Sequence, residues 1–161
     1  MYITFDQFTT LYDHVDEKLF NRLAFDAERI IDNHTTGLDG VKKLRVAFPS
    51  DEYDAAAVMH CTGNIVNLLH QIHEAEQTLN AARGYTETEN GLQGKVISQI
   101  QSGSESISYS EAKHSNSSID AAVADKAARD KLIASTIREY LSGTKDANGV
   151  NLLYMGRYPR V

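Results

Sequence analysis

His70, His73 and Glu74 lie within one apolar-periodic stretch at offsets of three and four, which brings two imidazoles and a carboxylate close together on one helical face. These are zinc-ligand types, and the chemistry they would support is metal-dependent hydrolysis. Ile65, Leu68 and Ile72 define a buried seam from which the three point away, however, and a metal needs further ligands and outer partners that this spacing does not supply. The trio therefore reads as a solvated or intersubunit face, with a metal-dependent hydrolase as the alternative. Cys61 sits on the seam and reads as a small buried apolar residue, because reactive thiols need exposure and nearby positive charge.

No serine lies in a Gly-x-Ser-x-Gly turn, and Gly91-Leu92-Gln93-Gly94 is not a phosphate-binding loop. Lys42, Lys43 and Arg45 make the one basic cluster, but Asp39, Asp51 and Glu52 flank it, so a solvated loop outweighs a small helical DNA-binding module. No catalytic residue, bound metal or cofactor is expected. The net charge of −6 over 161 residues gives no general basic field toward nucleic acid or an anionic membrane. One cysteine excludes an internal disulfide framework. With no signal peptide or long apolar span in view, the expectation is a protein made in a reducing cytoplasm, without a membrane partner.

The elements that would position these residues are mainly helical. Thr4 with Gln7 is a capping box and Ile3 with Phe8 a hydrophobic staple, so a short helix begins at Thr4. Asp16 caps a second helix, with Val15 and Phe20 as staple partners; Leu19, Phe20, Leu23, Ala27, Ile30 and Ile31 form its buried face to about Asn33. Gly37 to Pro49 reads as a connector. Ser50, Asp51 and Glu52 then open a long helix to Arg83, whose seam is Val58, Cys61, Ile65, Leu68, Ile72, Ala75, Leu79 and Ala82. At about 1.5 Å per residue it spans roughly 45 to 50 Å. Met59, Val66 and Leu69 widen the apolar face, which favours packing within the chain over a coiled-coil dimer.

Gly84 to Gly94 reads as a polar loop. Val96 to Gln101 and the alternating Ser106-Ile107-Ser108-Tyr109-Ser110 read as a β-hairpin that gains order against a partner, since an isolated hairpin is marginal. Ser118 caps a last helix to about Ser142, slim and alanine-rich at first and gripped later by Ile133, Ile137, Tyr140 and Leu141. Gly143 suits the left-handed position past a helix end, and Asp146-Ala147-Asn148-Gly149 is turn chemistry. The apolar, aromatic run Val150 to Tyr158 is thereby released from the helical body to seek a partner, the lesser reading being a tail folded back on its own core.

Three segments in this order resemble the head-tail connector (adaptor) family of tailed bacteriophages and prophages. They are Met1-Tyr2-Ile3-Thr4-Phe5 with its helix through Arg29-Ile30-Ile31-Asp32, the serine-rich strand Ser106 to Ser110, and Tyr140-Leu141-Ser142-Gly143-Thr144 followed by Leu152-Leu153-Tyr154-Met155-Gly156. The alanine-rich start of the last helix and the polar loop from Gly84 to Gly94 depart from the family pattern. The resemblance implies a non-enzymatic virion subunit at the portal vertex, made in the host cytoplasm. Such subunits form a ring, a dodecamer in the family, under the portal protein. The ring extends the DNA channel, through which DNA passes without sequence-specific binding, and receives a stopper, neck or tail-completion protein.

The expected architecture is thus a helical bundle with a long central helix, a projecting β-hairpin and an extended C-terminal arm. Residues 1–142 make the helical connector domain, with the hairpin at 95–110, and residues 143–161 the docking arm. Leu152, Leu153, Tyr154, Arg157 and Tyr158 are the expected portal-docking residues. Val96, Ile97, Ile100, Ile107 and Tyr109 are those expected to meet neighbouring subunits or the neck.

Overall fold

The computed structural model describes residues 1–12, 15–81, 85–88, 91–101, 106–111 and 118–159; burial and side-chain contacts below concern 1–12, 15–78 and 118–159. The chain is mainly helical, and it divides into two compact units, residues 1–70 with 133–161 and residues 71–132.

The first unit opens with α1 (Phe5–Leu11), whose capping box forms in both directions: Thr4 N–H donates to Gln7 Oε1 at 2.9 Å and Gln7 N–H to Thr4 Oγ1 at 3.3 Å. Asp16 caps α2 (Glu17–Thr35) by accepting from the Lys18 and Leu19 amides. Phe8 and Phe20 meet with ring centroids 5.1 Å apart and are fully buried, which joins the two helices. The expected connector contains a four-residue helix, α3 (Lys43–Val46).

Asp51 then accepts from the Tyr53 and Asp54 amides at the head of α4 (Glu52–Ala81). The seam Val58, Cys61, Ile65 and Leu68 is buried, as is Val66. Ile133, Ile137 and Leu141 supply the buried face of the last helix, and Asn64 Nδ2 donates to Tyr140 Oη at 3.1 Å.

In the second unit, residues 71–81 complete α4. They are followed by β1 (Tyr85–Thr88), β2 (Gly91–Gln101) and β3 (Ser106–Glu111), an antiparallel sheet in the order β1-β2-β3. Tyr85 stands opposite Gly94, Lys95 opposite Glu111, Ile97 opposite Tyr109 and Ile100 opposite Ile107, with a register irregularity between Ile97 and Gln99. Strand β1 and the start of β2 correct the reading of Gly84 to Gly94 as a loop: the β-branched and aromatic Tyr85-Thr86-Glu87-Thr88 suits a ladder despite its polarity. Residues 102–105 between β2 and β3, and residues 112–117 after β3, lie outside the described residues.

The expected single last helix is two, α5 (Ser118–Ala124) and α6 (Lys126–Leu141). Asp125 interrupts it, because its carboxylate accepts from the Ala127 amide at 2.9 Å and so caps a new helix. Ala122, Val123 and Ala124 are buried; Arg129 donates from Nε to the Ala122 carbonyl at 3.1 Å and from Nη2 to Glu76 Oε1 at 2.5 Å.

The division into units does not fall at residues 142 and 143. Gly143 does end α6 in the left-handed region, at φ 88°. The chain beyond it belongs to the first unit and is not an extended arm. Asp146 Oδ1 accepts from the Asn148 and Val150 amides, both at 2.9 Å, which closes the turn. The Leu152 amide then donates to the Thr144 carbonyl at 2.9 Å. Leu152, Thr144 and Asp146 are buried. An apolar run that follows a helix end so closely can fill a gap in its own core at little loop-closure cost, and here Leu152 does.

Candidate functional site

Two cations of α3 organise the surface where the C-terminal segment lies; the burial of Lys43 corrects its place in a solvated basic loop, while Lys42 and Arg45 are exposed. Lys43 is fully buried; its Nζ donates to the Leu152 carbonyl at 2.9 Å and to the Tyr154 carbonyl. Burial holds its ammonium below the ordinary lysine range, with Asp146 and Asp39 opposing the shift.

Arg45 donates from Nε to Asp32 Oδ2 at 2.8 Å and from Nη2 to Glu28 Oε2 at 2.9 Å. Both carboxylates are buried, and both also receive Tyr2: its amide donates to Glu28 Oε1 and its hydroxyl to Asp32 Oδ1, each at 2.6 Å. Burial, followed by the bond to Asp32, raises the Tyr2 phenol above its ordinary range. Lys43 and Arg45 are thus both engaged within the fold.

The loop between α2 and α3 grips the tail from its other side. Leu38 N–H donates to the Met155 carbonyl at 3.1 Å, and Tyr158 N–H to Asp39 Oδ2 at 2.8 Å. That amide is the main reason the Asp39 carboxyl lies below its ordinary range. A Cβ built on Gly37 would stand 2.5 Å from the Gly156 carbonyl oxygen, so the close approach requires glycine there. Tyr158 Oη donates to Asp146 Oδ2 at 2.6 Å and accepts from Asn148 Nδ2 at 2.8 Å, with burial and then Asp146 raising the phenol.

The expected docking residues therefore divide. Leu152 is core, which corrects its assignment to a partner surface, and Tyr158 is half-buried and fastened within the segment. Leu153 is half-buried, Arg157 is exposed, and Tyr154 keeps 53 % of its surface in solvent. Leu38 at 82 % and Met155 at 56 % join Tyr154 as exposed large apolar residues on these bonded segments. Sequence reasoning passed over Leu38, although an apolar residue inside Gly37-Leu38-Asp39-Gly40 had no periodic reason to be there.

Beside this surface is a pocket of about 190 Å³ lined by His34, Ala134, Ile137, Arg138, Leu153 and Met155. The side chains of Val96, Ile97, Ile100, Ile107 and Tyr109 lie outside the described residues, although their strands are described.

The residues considered for catalysis are placed as follows. His70 is buried, contrary to its assignment to a solvated face; His73 Nε2 is 2.9 Å from Gln77 Nε2, and Glu74 is exposed. Among the described residues no three His, Cys, Asp or Glu side chains are grouped to hold a metal ion. Cys61 is buried, and burial pushes its thiol up to about 12. None of the described helices is long and apolar enough to cross a membrane. Comparison with protein-family models, with curated proteins and with solved structures finds no match to this chain.

Proposed function

We propose that this chain is a head-tail connector subunit of a tailed bacteriophage or prophage, a structural virion protein rather than an enzyme. It forms a ring below the portal protein, extends the DNA channel and receives a stopper, neck or tail-completion protein. The observation that carries the reading is the exposed apolar group Leu38, Tyr154 and Met155, held on segments bonded through Lys43 and Asp39. Large apolar side chains on a preformed surface bind a protein without the ordering cost of a free arm. With Leu153 and the exposed Arg157 they form the portal-docking face, Arg157 orienting the contact by a charge-assisted bond.

The resemblance of the three segments to connectors supports the same reading, as does the net charge of −6, which keeps a channel wall from holding DNA. Strands β2 and β3 act as a projecting hairpin whose Val96, Ile97, Ile100, Ile107 and Tyr109 meet neighbouring subunits or the neck. One heterologous interface repeated around a closed ring needs only a modest contact per subunit.

Native mass spectrometry of the chain alone and mixed with assembled portal from the same phage or prophage tests this. The expected result is a higher-order ring on the portal, lost when Tyr154→Ser and Met155→Ser are combined, with the circular dichroism unchanged. Failure of the unaltered chain to join the portal would refute the proposal.

A further inference from the structure

The pocket beside the docking surface has a chemical asymmetry. Ala134, Ile137, Leu153 and Met155 make it apolar, and His34 and Arg138, both exposed, stand at it as the polar residues. None of the six is acidic, in a chain with 22 Asp and Glu against 16 Lys and Arg. Among the described residues, neither the Arg138 guanidinium nor the His34 ring has an ion-pair or side-chain hydrogen-bond partner, whereas Arg45 and Arg129 are both paired with carboxylates. Its volume of about 190 Å³ is below the roughly 300 Å³ at which small-molecule and cofactor sites begin, so it suits one large side chain.

We infer that this pocket receives a protein segment in which an apolar side chain is flanked by carboxylates. The apolar side chain enters against Ile137 and Leu153, and a neighbouring carboxylate pairs with the Arg138 guanidinium, with His34 as a second donor. Charge complementarity selects this occupant: the free cation favours an acidic partner, while the apolar lining gives a bare phosphate or a nucleic-acid backbone little to bind. The inference rests on the connector reading only in taking this face to meet a protein.

The test uses the full chain and a fluorescein-labelled six-residue peptide carrying a leucine and a phenylalanine between two glutamates, set against its glutamine counterpart, with anisotropy as the readout. The glutamate peptide is expected to bind up to about fivefold more tightly, the upper end of the range of an exposed arginine–carboxylate pair. Arg138→Gln abolishes that preference without moving the unfolding midpoint, because the side chain is exposed. Met155→Glu, at the pocket and also exposed, weakens the glutamate peptide more than the glutamine one.

Equal binding of the two peptides, no binding of either, or a preference that survives Arg138→Gln overturns the inference. The titration needs no portal, so it can fail while portal association succeeds, and the reverse.

Discussion

Arg45 and Lys43 stand two residues apart in α3, and each fastens a different end of the chain. Arg45 faces two buried carboxylates that also hold Tyr2, so the N-terminal end is held by opposite charges with part of the guanidinium still in water. Lys43 is fully buried and donates to two main-chain carbonyls of the C-terminal segment, so that end is held by a cation directed at neutral groups. A buried ammonium deprived of acceptors is far more costly than an exposed guanidinium deprived of one partner. The C-terminal segment is therefore part of the stability of the first unit, and its exposed side chains ride on it.

The largest expected effect comes from removing that segment. Deletion from Val150 onward takes away the buried Leu152 and both acceptors of Lys43, and should destabilise the first unit by about 4 to 8 kcal/mol, combining a core truncation with a stranded charge. Chemical denaturation followed by circular dichroism measures it. A truncated chain with an unchanged midpoint would show that the segment is dispensable after all.

A smaller and more local effect should follow from exchanging each cation for methionine, which keeps most of the stem's packing. Lys43→Met should cost about 1 to 3 kcal/mol through unsatisfied carbonyls, and Arg45→Met a similar amount through the buried Glu28 and Asp32, reduced by the exposure of the guanidinium. Amide hydrogen exchange separates them: Lys43→Met should loosen residues 150–158 and spare Tyr2, and Arg45→Met the reverse. Both ends loosening together in either variant would mean that they are not independently held.

The smallest effect concerns pH. The Tyr158 amide holds the Asp39 carboxyl below the ordinary aspartate value of about 3.9, so the contact contributes fully above that value and is lost as pH falls through the lower folded one. The Tyr158 amide resonance should therefore shift in that acid window and not between pH 6 and 8, and Asp39→Asn should abolish the shift. An unchanged titration in Asp39→Asn would place the proton elsewhere.

Local rules made much of this legible beforehand. The Thr4 and Asp16 caps, the seam from Val58 to Ile72 and the left-handed Gly143 each depend on residues within a turn or two of one another. Asp125 was equally local, but its capping capacity was masked by strong helix formers on both sides. The exposed apolar group was half legible: the C-terminal run that holds Tyr154, Met155 and Arg157 stands out in the sequence and all three are exposed, whereas Leu38 lies in a glycine-bearing connector with no pattern to mark it.

What the order of residues specified alone is the three longer helical stretches, the Thr4 and Asp16 caps and the apolar face each stretch buries, because backbone hydrogen bonding and a period near 3.6 are short-range properties. The burial of Lys43, the return of the C-terminal run onto the body and the pocket between His34 and Arg138 depend on residues about a hundred positions apart in the chain. Charge and hydropathy cannot tell a solvated lysine from one that will find two carbonyls in a distant segment. That choice is made when the helices close on one another and a desolvated cation has to find acceptors.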